Sequence, residues 1–161
     1  MPRFDTRLVL AVTAFALVAL AAACSQAGLL RIAGVAPNIL LVVLVVVSFF
    51  SDNILFYLLI VFFAILMGRA TPLVFDPFAT VTAVLAVVVF WLQRHLVWPG
   101  FIGTAITVSV TTLLTYVIIA PTMLWQHPGL VASEVVYNVG VGIVLFELLY
   151  RFFGRSMRSI R

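Results

Sequence analysis

Lysine is absent from this 161-residue chain: its nine basic residues are all arginines, and only five acidic residues accompany them. Charged residues make up 9% of the sequence and apolar ones 65%, whereas a soluble domain carries about 25% charged residues. That leaves too little polar surface to cover a soluble globule, and the composition indicates an integral membrane protein. A single cysteine excludes an intramolecular disulfide, a CxxC redox pair and a cysteine zinc site. The two histidines, His95 and His127, fall on opposite sides of the expected membrane and cannot share a metal. There is no GxSxG elbow, HExxH or P-loop. No histidine or lysine lies in an apolar run to activate a serine or threonine. The chain is therefore expected not to be an enzyme and to carry no cofactor. The net charge of +4 sits at the ends and in one loop, without the basic, aromatic-interleaved groove that nucleic acid requires.

Apolar runs dominate what remains. Breaks at charged residues, proline and glycine divide them into six spans at about 8–30, 35–50, 54–68, 73–93, 97–120 and 131–153. A bilayer core about 30 Å thick needs about 20 helical residues. Spans one, four, five and six meet that length; spans two and three are short and flank Ser51-Asp52-Asn53. A single helix through 37–68 would place Asp52 near mid-membrane, which is costly, so a short helical hairpin is preferred to one broken helix. The expected fold is an all-α integral membrane protein, a six-helix transmembrane bundle forming one domain over 1–161, with a basic cytoplasmic tail at 154–161.

With the N-terminus inside, seven arginines (Arg3, Arg7, Arg94, Arg151, Arg155, Arg158, Arg161) face the cytoplasm and two (Arg31, Arg69) face out. That bias places both termini in the cytoplasm. The first span ends in "LVALAAACSQ", the outline of a lipoprotein signal with Cys24 as the lipidated residue. Ala21 stands where leucine is usual, and the chain runs on apolar after Cys24 with no polar tether, so a retained helix is expected. Its Ala19 and Ala23 then form a small-xxx-small packing pair.

Polar groups inside spans are expensive and mark candidate function. Gly103, Thr107, Thr111 and Thr115 recur every four residues on one face of span five. They make either a close-packing seam with hydroxyls bonded to carbonyls one turn back, or a polar lining for a substrate path. In span six, Ser133, Tyr137, Gly140, Glu147 and Arg151 share a face, with Glu134 and Asn138 at its edge. Glu147 and Arg151 have the spacing of a local ion pair; the alternative is that Glu147 engages another helix. Asp76, between Pro72 and Pro77, has the position of a capping acid or a partner of Arg69, or of a ligand-binding or partner-binding group. The arginines of "RFFGRSMRSIR" are expected to attract anionic lipid, at about 1 kcal/mol each, with a docking site for a cytoplasmic partner as the alternative.

Three stretches resemble the MreD family of small bacterial rod shape-determining membrane proteins: "APNILLVVLVVVSFF" at 36–50, the glycine-to-acid segment Gly68 to Asp76, and the closing "EVVYNVGVGIVLFELLYRFF". The resemblance implies a non-catalytic scaffold of the inner membrane that links actin-like filaments and an MreC-like protein to the synthases of lateral peptidoglycan. It also implies a fold similar to the substrate-binding subunits of energy-coupling-factor vitamin transporters. Two alternatives stand beside it: such a vitamin-binding subunit, docking through Ala19 and Ala23, or a small transporter with Glu147 as proton carrier.

Overall fold

Helix boundaries follow local chemistry. In the computed structural model, which describes residues 6–27, 35, 37–68, 77–95 and 100–157, seven helices follow one another. They are α1 (Thr6–Ala27), α2 (Ile39–Phe50), α3 (Ile54–Gly68), α4 (Pro77–His95), α5 (Gly100–Ile119), α6 (Pro121–Gln126) and α7 (Pro128–Met157). Three of them open on proline, whose fixed φ suits a first turn and whose missing N–H has no helical partner to lose there. Asn38 caps α2, its side chain accepting the Leu41 N–H at 3.1 Å. Gly100 opens α5 at φ +68°, a conformation that other residues adopt only with strain. The described residues contain no strand, and the architecture is a helical bundle.

The break at 51–53 separates two helices that fold back on each other. The Tyr57 hydroxyl, one turn into α3, donates to the carbonyls of Leu44 in α2 (3.0 Å) and Ala86 in α4 (3.3 Å). At the turn itself Asp52 is exposed, and its carbonyl accepts from the Arg94 guanidinium at the end of α4. That guanidinium also lies over the Phe90 ring, 4.6 Å from its centroid.

α2 forms the middle of the bundle. Its sequence, ILLVVLVVVSFF, is apolar all round, as befits a helix with neighbours on every side. α1, α3, α4, α5 and α7 all pack against it, and Val42, Val45 and Val46 are fully buried. Aromatic contacts tie the outer helices to it and to one another. Phe15 of α1 meets Phe56 and Phe63 of α3 edge-on, Tyr57 stacks on Phe90 at 4.7 Å, and Phe146 of α7 lies 5.4 Å from Phe50.

The outward faces are apolar as well. Leu55 and Phe62 of α3, Ile118 of α5 and Val136 and Phe152 of α7 are each more than half exposed. Exposed apolar surface on this scale marks contact with lipid or protein. α5 and the Pro128–Phe153 part of α7 are long and apolar enough to cross a membrane; α1 to α4 contribute shorter apolar segments.

The sequence-derived boundaries shift at several places. The connection between spans five and six contains the short helix α6, and α7 begins at Pro128 and runs to Met157, into the segment assigned to the tail.

Candidate functional site

α7 carries polar residues on two faces that behave differently. Its inward face holds Asn138, which is fully buried. The Asn138 Oδ1 accepts the backbone N–H of Asn38 at 3.0 Å, and its Nδ2 donates to Thr112 Oγ1 at 3.1 Å. One turn earlier, half-buried Glu134 accepts from the Tyr116 hydroxyl. These contacts join the start of α2, the far end of α5 and the start of α7 at one end of the bundle. These contacts give the Asn138 amide oxygen and nitrogen each a partner, where an unpartnered buried group would cost about 1–3 kcal/mol.

Sequence reasoning paired Glu134 with Asn138 but missed Tyr116, Thr112 and Asn38. Two signals were available. Asn38 precedes an apolar run, as a cap should. Tyr116 and Glu134 lie at similar distances from the Pro121–Pro128 turn, which brings them level when α5 and α7 run antiparallel.

The threonines of the α5 stripe bond back to carbonyls one turn earlier. Thr107, Thr111 and Thr115 donate to the carbonyls of Gly103, Thr107 and Thr111 at 2.7, 2.5 and 2.9 Å. Gly103, Thr111 and Thr115 are buried and Thr107 is half-buried. Gly103, Thr107 and Thr111 also border a cavity of about 150 Å³ between α4 and α5, together with Gln93. The Gln93 side-chain amide meets the Ser48 hydroxyl at 2.7 Å. The close approach of α7 to α5 and α2 occurs at Gly142, where an added Cβ would lie 3.1 Å from Val108 Cγ2 and 3.5 Å from Val42 Cγ1.

Glu147 and Arg151 pair locally at 3.0 Å, both exposed. A pair of this kind contributes about 0.3–0.5 kcal/mol. On α1, Ala19 is half-buried and Ala23 exposed; the small residues buried against the bundle are Ala14, Ala21 and Ala22. Spacing alone selects an i, i+4 pair but does not say which side of the helix meets its neighbours. Arg69 and Asp76 lie outside the described residues, as do Arg31, Pro72, Arg158 and Arg161.

The outward face of α7 borders an open groove. Leu10 and Leu17 of α1 pack against a buried cluster built from residues of α2, α4, α5 and α7. Between α1 and α7 lies a groove of about 1330 Å³. Leu17, Leu20, Ala21 and Cys24 of α1 form one wall, Ile39 and Val43 of α2 lie at the base, and α7 from Gly129 to Leu148 forms the other wall. Ser133, Tyr137 and Gly140, the outward stripe legible in the sequence, line it. The only hydroxyls among these lining residues are those of Ser133 and Tyr137, and that of Ser133 donates to the Gly129 carbonyl at 2.8 Å. The lining suits an elongated apolar body rather than a charged or strongly polar ligand. No three His, Cys, Asp or Glu side chains come together among the described residues. Comparison with protein-family models, curated proteins and solved structures finds no match to this chain.

Proposed function

We propose that this chain is a six-span protein of the bacterial inner membrane with both termini in the cytoplasm, and that it acts as a non-catalytic scaffold of the cell-elongation machinery. The observation that carries the reading is the inverted surface of the bundle, apolar outside as well as inside. Water penalises such a surface at about 25 cal/mol per Å², and lipid removes that penalty. On this reading α5 and α7, which are long enough to cross a membrane, and the shorter apolar helices α1 to α4 make up the six spans. The arginine bias and the sequence resemblance to the MreD family supply the orientation and the biological role. On this reading the partners are membrane lipid, an MreC-like protein and peptidoglycan synthases.

The two transport readings draw less support. The groove lining is apolar and offers a polar vitamin little to bind. Glu147 is held by Arg151 on an exposed face rather than in a path through the bundle. Depletion of the protein from a rod-shaped bacterium that carries it tests the scaffold role. Cells are expected to round up, and an MreC-like protein is expected to co-purify with the chain. Unchanged rods, or a vitamin co-purifying in stoichiometric amount, would contradict it.

A further inference from the structure

We infer that the cavity between α4 and α5 is a binding site for one acyl chain of a cytoplasmic-leaflet glycerophospholipid, whose ester carbonyl accepts a hydrogen bond from Gln93. The inference goes beyond the scaffold role and rests only on the membrane embedding and orientation proposed with it.

An unmet hydrogen bond supplies the first argument. Gln93 lines the cavity, and its Nε2 is sealed from solvent without a partner among the described residues. The Ser48 hydroxyl, 2.7 Å from Oε1, serves only the other end of the amide. A buried donor left unpaired is costly, and a ligand that supplies an acceptor removes the cost.

The rest of the lining restricts what that acceptor can belong to. The hydroxyl protons of Thr107 and Thr111 are committed to the carbonyls of Gly103 and Thr107. Every other lining side chain is apolar. A buried water makes about three hydrogen bonds to the groups around it, more than this wall offers. The fit is to a molecule with one acceptor at one end and hydrocarbon beyond it.

Position and length identify that molecule. Gln93 lies close to the end of α4, and its neighbour Arg94 reaches the Asp52 carbonyl at the exposed turn between α2 and α3. On the proposed orientation this is the cytoplasmic interface, the level of phospholipid ester groups. From Gln93 back to Leu85 the cavity follows α4 for about 12 Å, and from Gly103 to Leu114 it follows α5 for about 16 Å. Half of a bilayer core is about 15 Å. The cavity therefore reaches from the interface to the midplane, as an acyl chain of one leaflet does. Val88, Leu92, Ile106, Val110 and Leu114 border it and are each 39–48% exposed, so a chain enters sideways from the lipid. The volume of about 150 Å³ matches a cavity that takes a six-carbon ring. It is too small for a helix about 10–12 Å across.

Native mass spectrometry of the full chain, purified in detergent and mixed with phospholipid, tests the proposal. The probes are a diester phosphatidylglycerol and its diether analogue of equal chain length, which lacks the ester carbonyls. The wild-type chain should retain one lipid and prefer the diester about fivefold, the share of one net hydrogen bond. Gln93→Leu should abolish that preference. Thr107→Leu, which fills the cavity, and Val110→Trp, which closes its exposed mouth, should abolish retention of both lipids while the unfolding midpoint is kept. No retained lipid, equal retention of the two lipids by the wild-type chain, a preference that survives Gln93→Leu, or unchanged retention in both cavity variants would each overturn the proposal. Rounded cells on depletion together with no diester preference would overturn the cavity assignment and leave the scaffold role standing. A diester preference lost in Gln93→Leu, in a chain whose depletion leaves rods unchanged, would do the reverse.

Discussion

Asn138 and Glu147 are both polar residues of α7, yet the bundle uses them differently. Asn138 is sealed from solvent and bridges the Asn38 N–H to Thr112. Removing its amide strands a buried donor at the start of α2 and leaves Thr112 without its partner on α7. Asn138→Ala is expected to lower the unfolding free energy in detergent by about 1–3 kcal/mol. Glu147→Gln removes one exposed ion pair and is expected to cost less than about 0.5 kcal/mol. Thermal or denaturant unfolding of the two purified variants checks the contrast; equal losses would contradict it. The difference was only partly legible in the sequence. A helical wheel groups Glu134 and Asn138 beside the stripe of Ser133, Tyr137 and Gly140, but the wheel has no absolute orientation. α5 selects the first pair as the buried side, and the stripe turns to the groove.

At the scale of elements, α2 and α3 are equally apolar and close in sequence, but occupy different environments. α2 has neighbours on all sides, whereas α3 buries Tyr57, Ile60, Val61 and Ala64 and presents Leu55, Leu58, Phe62 and Leu66 outward. Composition could not separate them, because a core helix and a lipid-facing helix are both uniformly apolar when the solvent is lipid. Their boundaries were legible, because Asn38 and the Ser51-Asp52-Asn53 break are local signals. The two environments predict opposite sensitivities. Val46→Ala opens space in the centre of the bundle and is expected to destabilise it by about 1–3 kcal/mol. Phe62→Asp leaves the interior intact, yet is expected to cost about 3 kcal/mol in membrane insertion. Unfolding of the purified Val46 variant and the membrane-integrated fraction of the Phe62 variant measure the two effects. In a water-facing bundle Phe62→Asp would be harmless.

For the whole molecule, the all-α class followed from the spacing of apolar runs, whereas the short helix α6 did not. The groove did not, because it depends on how far α1 stands from α7, a tertiary quantity with no sequence period. The seam on α5 was legible because i−4 threonine bonding is local. The account depends above all on the bundle lying in a membrane with its outward apolar faces in lipid. Single cysteines at Asp52, Phe62 and Trp125, in a Cys24→Ser background, test this with a membrane-impermeant thiol reagent on cells. The account predicts that position 125 reacts in intact cells, position 52 only after permeabilisation, and position 62 in neither case. Reaction at 62 as readily as at 125, or simultaneous reaction of 52 and 125 in intact cells, would contradict it.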